Sequence, residues 1–132
     1  MKLRPITMED ADQMLEWKNY PETRQFAIAS HDEITKEAHY AWLKDHLDGF
    51  FIIENDDGVR CGAVRIHNNE VSFWVDRSMW GKGIATWVLI HVTYPGLFGK
   101  IVDGNLASMR CFIRAGYEPV SYHDGYSIWQ KK

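Results

Sequence analysis

Cysteine is scarce: the 132 residues hold only Cys61 and Cys111. Both sit in apolar segments without metal-ligand spacing, which excludes a disulfide framework and a cysteine-built metal centre, and no metal is expected. Positive charge is not in excess either, since 15 Lys and Arg face 18 Asp and Glu for a net charge of -3. That balance argues against a nucleic-acid binder relying on bulk positive charge. There is no apolar run of membrane length and no cationic, apolar leader, so a membrane is not an expected partner and a reducing cytoplasm is the expected home. Internal repeats, low-complexity tracts and Pro/Gly/Ser linkers are also missing, and residues 1–132 read as a single domain. What is present is core material, 45% hydrophobic and 14% aromatic, ample for a domain of this length.

The elements follow in order. Residues 2–6 read as a strand, then Thr7 as an N-cap with Asp10 at the capping-box position and a helix to about Asn19, which Pro21 helps end. A polar loop over 22–32 precedes a second helix over 35–47, with Ala38 and Trp42 toward the core. Strands at 50–55 and 60–67 flank the hairpin signal Asp56-Asp57-Gly58, and Asn68-Asn69 turns the chain into a strand over 70–75. A helix over 83–94, a strand over 100–103, a helix to Ala115 with Gly116 at C′, and a hairpin of 118–123 with 126–130 complete the chain.

Trp80-Gly81-Lys82-Gly83-Ile84-Ala85 stands at the mouth of the third helix. Two glycines there let an anion approach backbone closely, and a first helical turn offers N–H groups without internal partners. The dinucleotide fingerprint would need a third glycine where Thr86 stands, and the P-loop would need Ser or Thr directly after Gly-Lys, so neither fits. Taken alone, the turn either holds a pyrophosphate or simply links strand to helix.

A second segment, Asn105, Ser108, Phe112, Gly116 and Tyr117, lies across the fourth helix and its end. Together the two segments resemble the GNAT superfamily of N-acetyltransferases. Its acetyl-CoA loop reads Arg or Gln, two residues, Gly, one residue, then Gly or Ala, as from Trp80 to Ala85. Its later motif reads Asn, an aromatic seven residues on, then Gly and an aromatic. Leu3-Arg4-Pro5, Trp17-Lys18-Asn19, Arg24, His39 and Trp42 resemble the branch containing ribosomal-protein N-terminal, polyamine and amino-sugar acetyltransferases, with the amino-sugar enzymes nearest.

The resemblance implies an α/β (α+β) fold in the order β-α-α-β-β-β-α-β-α-β-β, a mixed central sheet with helices on both faces. Two parallel strands, 70–75 and 100–103, would splay to admit the pantetheine arm of acetyl-CoA, and CoA would be the product. Main-chain groups near Trp74 and Val75 would bond the pantetheine and acetyl carbonyl, and N–H groups from Gly81 through Lys82, Gly83, Ile84 and Ala85 to Thr86 would hold the diphosphate. Trp80 replaces the usual Arg or Gln. Glu70 would be the base and Ser108 the acid or sulfur donor, because Phe112 lacks the hydroxyl of the tyrosine often found there. Asn105 would steady the pantetheine side. His67 and His31 are weaker base candidates. The acceptor would meet Trp17, Asn19, Arg24, Phe26, His39, Tyr122 and Tyr126. A small-molecule amine, an amino sugar or nucleotide-linked amino sugar first, is the expected acceptor. A peptide N-terminus is the alternative, and a non-catalytic CoA-binding module the alternative of another class; a homodimer is compatible with all three.

Overall fold

A computed structural model describes residues 1–28 and 31–132. Its strands are Lys2–Pro5 (β1), Phe50–Glu54 (β2), Arg60–His67 (β3), Glu70–Val75 (β4), Phe98–Val102 (β5), Tyr117–His123 (β6) and Tyr126–Lys131 (β7). Its helices are Ala11–Asn19 (α1), Pro21–Gln25 (α2), Lys36–Lys44 (α3), Ile84–His91 (α4) and Leu106–Arg114 (α5), with 3-10 turns at Met8–Asp10 and Arg77–Met79. One seven-stranded sheet runs β1-β2-β3-β4-β5-β7-β6. Every neighbouring pair is antiparallel except β4 and β5. The mixed sheet expected from the sequence is therefore present.

Alternation along the strands feeds two apolar clusters. Ile53, Val64, Val71 and Ile101 pack with Val88 and Leu89 of α4 and Phe112 of α5. Phe50, Ile52 and Ala63 pack with Met14 and Trp17 of α1 and Leu43 of α3. Helices thus cover both faces, α1 and α3 on one and α4 and α5 on the other, as period-two strands with two apolar faces require.

Several boundaries differ from the sequence reading. The first helix begins as the 3-10 turn before α1. Part of the expected loop at 22–32 is α2, because Pro21 occupies the first helical position, where its missing N–H costs nothing. Ala29 and Ser30 of that loop lie outside the described residues. In α3 the buried face carries His39 and Leu43, while Ala38 is exposed and Trp42 only half-buried. Thr35 caps α3, its Oγ1 accepting from the Ala38 N–H at 3.2 Å.

Asp10, only 2% exposed, ties the first strand, the first helix and the sheet together. Its carboxylate accepts from Arg4 at 2.8 and 2.9 Å, from Arg60 at 3.2 Å and from the Thr7 N–H at 2.9 Å. Burial alone would raise its pKa; the bonds from Arg4, Thr7 and Arg60 outweigh that and hold it at about 2. A folded pKa below the unfolded value stabilises the fold above roughly pH 4, and the contribution fades as pH falls through the folded value. Asp10→Asn should therefore cost about 2 kcal/mol at pH 7 by urea denaturation, with the gap to wild type closing as pH drops toward 2. An equal gap at pH 7 and pH 2 would refute the electrostatic account.

Candidate active site

The parallel strands β4 and β5 share a single register pair, Glu70 with Phe98. The Phe98 N–H donates to the Asn69 carbonyl at 2.8 Å, and Lys100 Nζ lies 3.6 Å from a Glu70 carboxylate oxygen. Beyond that point the strands part. Alternation decides which main-chain groups face the gap. The Ile66 N–H points to β2, donating to the Gly49 carbonyl at 2.8 Å, and the Asp76 N–H donates to the Cys61 carbonyl of β3 at 2.8 Å. With the β3–β4 register, Glu70, Ser72 and Trp74 turn their main chain to β3, and Val71, Phe73 and Val75 turn theirs to the gap. Trp74 is thus not a main-chain contact in the split; Phe73 takes that place. The Val75 carbonyl already accepts from Trp80 Nε1 at 2.9 Å.

At the open end β4 gives way to a tightly held loop. The Asp76 carboxylate accepts from the Ser78 N–H at 3.0 Å, the Ser78 hydroxyl at 2.6 Å and Trp17 Nε1 at 3.0 Å. Burial opposes ionisation there, but the bonds from Ser78 and Trp17 prevail and lower the pKa. Gly81 and Gly83 have φ of 78° and 81°, and a Cβ at either would meet nothing within 4 Å. The space before them is open. Gly83 is the N-cap of α4 and has no side chain to cap it. Among the described residues the N–H groups of Gly81, Gly83, Ile84, Ala85 and Thr86 donate to no backbone carbonyl, whereas Lys82 N–H donates to Met79 at 3.3 Å. Free donors, open glycine backbone and a helix N-terminus suit a diphosphate. Trp80 is 44% exposed; its ring packs edge-on to Tyr20 at 6.0 Å, so with its bond to Val75 it anchors the loop.

The other side of the gap is the start of α5. Asn105 Oδ1 accepts from the Ser108 N–H at 3.3 Å, so Asn105 caps this helix. The Ser108 hydroxyl makes no hydrogen bond among those of the described residues. Phe112 is 2% exposed and packs edge-on to Tyr117 at 5.1 Å. A Cβ at Gly99 would collide with its ring. Phe112 is accordingly core, unable to face the cofactor. Since it overlies Gly99, α5 runs back along β5 and places Ser108, one turn nearer its start, toward the open end.

Acceptor candidates scatter more widely. Trp17 is fully buried and His39 nearly so, so neither offers the surface an acceptor would need beyond the edge of His39 that lines a pocket. His39 Nε2 pairs with the Ala11 carbonyl at 3.1 Å, and burial, then the charge of Lys18, lowers its pKa. Asn19 exchanges two 2.8 Å bonds with the Ile34 main chain, and Arg24 Nε donates to the Asn19 carbonyl at 3.2 Å. Both are latches for the segment between α1 and α3. Phe26 is half-buried. Tyr122, 77% exposed, lies on β6, two strands beyond β5. Tyr126 pairs with Val102 of β5 beside the gap. His31 and His67 are exposed, and neither faces the split: His31 Nε2 pairs with the Ala27 carbonyl at 3.0 Å and His67 with Asn68 at 3.2 Å.

The residues that do converge on the α1–α3 face went unrecognised in the sequence as site residues. Lys18 Nζ lies 3.8 Å from the Trp42 ring centre, 5.5 Å from Trp74 and 5.8 Å from Phe50. Arg65, opposite Ser72 on β4, lies 5.1 Å from the same Trp42 ring. No local pattern marks this group, because each member comes from a different element. No cluster among the described residues could hold a metal ion, and no helix of the structure is long and apolar enough to cross a membrane.

In fold the chain is similar to a ribosomal-protein-alanine N-acetyltransferase from Brucella melitensis, at 20% identity with 99% of both chains covered and a TM-score of 0.76. It is similar to a spermidine N-acetyltransferase from Vibrio cholerae in complex with CoA and spermine, at 13% identity over 97% of this chain and 92% of that one, TM-score 0.80. An aminoglycoside acetyltransferase in complex with coenzyme A and kanamycin matches at 17% identity over 99% and 94%, TM-score 0.72. Among curated proteins no sequence matches. A family model described as an acetyltransferase (GNAT) domain matches residues 1–118. The open glycine loop and the parted strands fit the acetyl donor of that family, and the chain belongs to it, the GNAT acetyltransferases, which move an acetyl group from acetyl-CoA to an amine.

Proposed function

We propose that this protein acetylates the primary amine of a small molecule by direct attack on the thioester of acetyl-CoA, with an amino sugar or nucleotide-linked amino sugar as the favoured acceptor. The observation that carries the reading is the gap between β4 and β5, which opens toward the N-termini of both α4 and α5. In this reading the free N–H groups of Gly81, Gly83, Ile84, Ala85 and Thr86 hold the diphosphate, with Lys82 at the exposed rim. Phe73 and Val75 line the gap with main-chain groups that orient the pantetheine arm. Acetyl-CoA supplies the activated carbonyl; the residues below supply proton handling and position.

A lysine-like amine is neutral only about once in 2,500 at pH 7, so a base near the acceptor face raises the reactive fraction. Glu70 takes the proton of the attacking nitrogen, directly or through water. Its carboxylate lies beside Lys100 at 3.6 Å, which holds it in place at the closed end of the gap. Ser108 directs its unpartnered hydroxyl proton to the departing sulfur. A thiol of pKa about 8.5 leaves tolerably as thiolate, so the missing phenol at Phe112 need not halt the reaction. Trp42 and Trp74, half-buried, give the α1–α3 face an aromatic wall, with the Trp42 ring stacked on His46 at 4.4 Å and faced by Lys18 at 3.8 Å.

Saturating acetyl-CoA at about 100 times its Kd should stabilise the wild type by about 2.7 kcal/mol, a rise of several degrees in Tm. Gly83→Glu puts a carboxylate and a strained positive φ at the loop and should abolish that rise while the protein stays folded by circular dichroism; a retained rise would refute the diphosphate assignment. Glu70→Gln and Ser108→Ala should each lower kcat by roughly 10²-fold or more, with little change in acetyl-CoA affinity. Thiol release measured with a panel of amines checks this, and unchanged turnover in both variants would remove their assigned roles.

A further inference from the structure

Two cations on the α1–α3 face lack an anion. Lys18, from α1, and Arg65, from β3, both lie over the Trp42 ring, at 3.8 and 5.1 Å from its centre. Neither makes an ion pair among the described residues. Arg65 Nε is buried without any hydrogen-bond partner, which makes it an unsatisfied charged donor. The carboxylate whose field reaches Arg65 is Glu70, and that group is engaged by Lys100. His39, on the same face, donates or accepts only with Ala11 and is held toward its neutral form by burial and by Lys18.

Such an arrangement is costly by itself. Like charges this close repel, and each pays for lost hydration that aromatic faces only partly return. Burial, followed by the charge of Arg65, pushes the Lys18 ammonium down to about 8. The pocket beside it, lined by Lys18, Ile34, Ala38, His39 and Trp42, is open and mostly apolar. A small anion entering there would meet the Lys18 ammonium and no carboxylate on its walls, with the Arg65 guanidinium over the same Trp42 ring rather than in the lining.

We propose that Lys18 and Arg65 form an anion subsite for the acceptor, which receives a carboxylate or phosphate carried on the same small molecule as the reacting amine. Glu70 and Ser72 lie on the same sheet face as Arg65, so the anion is bound on the base's side of the sheet. The subsite rests on the acetyltransferase reading for the fate of the amine, but not for the binding of the anion. It disfavours acceptors that are purely polycationic, because two fixed positive charges confront them.

The test begins without acetyl-CoA or turnover. In wild-type protein carrying 13C-labelled lysine, the Lys18 side-chain resonance is titrated with pH in the absence and presence of inorganic phosphate, and separately of acetate. A bound anion favours the ammonium, so the Lys18 titration should move upward with one of the two; phosphate assigns a phosphate ester, acetate a carboxylate. No movement with either overturns the subsite. The second arm compares kcat/KM for glucosamine 6-phosphate with that for glucosamine, and for glutamate with that for its diamide-like neutral counterpart, glutaminamide. The anionic member of the matching pair should be preferred by roughly 10- to 100-fold, the range of charge-assisted hydrogen bonds. Arg65→Gln or Lys18→Gln should bring the ratio near one, and Arg65→Lys should keep part of it. Turnover of neutral amines with no preference for anionic ones would refute the subsite and leave the acetyltransferase standing. Failure of acetyl-CoA to raise Tm would instead refute the proposed function.

Discussion

The parting of β4 from β5 is the constraint on which the rest of the site depends. One shared register pair leaves main-chain groups of Phe73 and Val75 outside any ladder between these strands, and unpaired buried main-chain groups cost about 1–3 kcal/mol each. The split persists because each strand is held from its other side. β4 keeps a full antiparallel ladder with β3, and β5 keeps one with β7. Two glycines make that possible. Gly62 has no Cβ to strike the Trp74 carbonyl as β3 closes on β4, and Gly99 leaves room for the Phe112 ring on β5. The gap is therefore imposed by its neighbours, and its polar edge is where a ligand with amide groups gains most.

The loop at the open end shows the same logic of outside support. Its glycines are free to face an anion only because other residues hold the loop still. Asp76 is pinned by Trp17 and Ser78, Arg77 by Glu22 at 2.8 Å and by the Tyr20 ring at 4.3 Å, and Trp80 by the Val75 carbonyl. Trp17 and Lys18 are consecutive residues on α1, about 100° apart around its axis. One bonds Asp76 at the base of the glycine loop and the other enters the α1–α3 face. A single helix thus fixes the glycine loop relative to the α1–α3 face, and Asp10 fixes that helix against β1 and β3 through Arg4 and Arg60.

Much of this was legible from residue patterns. The Asp56-Asp57-Gly58 and Asp124-Gly125 turns, the Thr7 and Asp10 capping box, and Gly116 after the last helix all mark boundaries the structure keeps to within a few residues. Each acts through local geometry, a positive φ or a side chain bonding backbone three residues away. Pro21 ends the first helix at Asn19 as expected but also opens α2 where a loop was expected, because proline is as well suited to the first turn of a helix as to a break. Trp17, His39 and Phe112 misled in another way. An aromatic near a motif reads as a ligand contact, and only packing reveals that its ring is already surrounded.

The sequence by itself determined the order of the strands and of the four longer helices, the turns and the flexible backbone of the Gly81–Gly83 loop, since these follow from periodicity, capping and φ within a few residues, while its two motifs carried the resemblance to the family. The tertiary structure alone decided that Phe73 rather than Trp74 turns its main chain to the gap, that Phe112 is core, and that Lys18 and Arg65 meet over Trp42. Those outcomes depend on register, burial and charge between residues far apart in the chain, where the energy of a group is set by its neighbours in space.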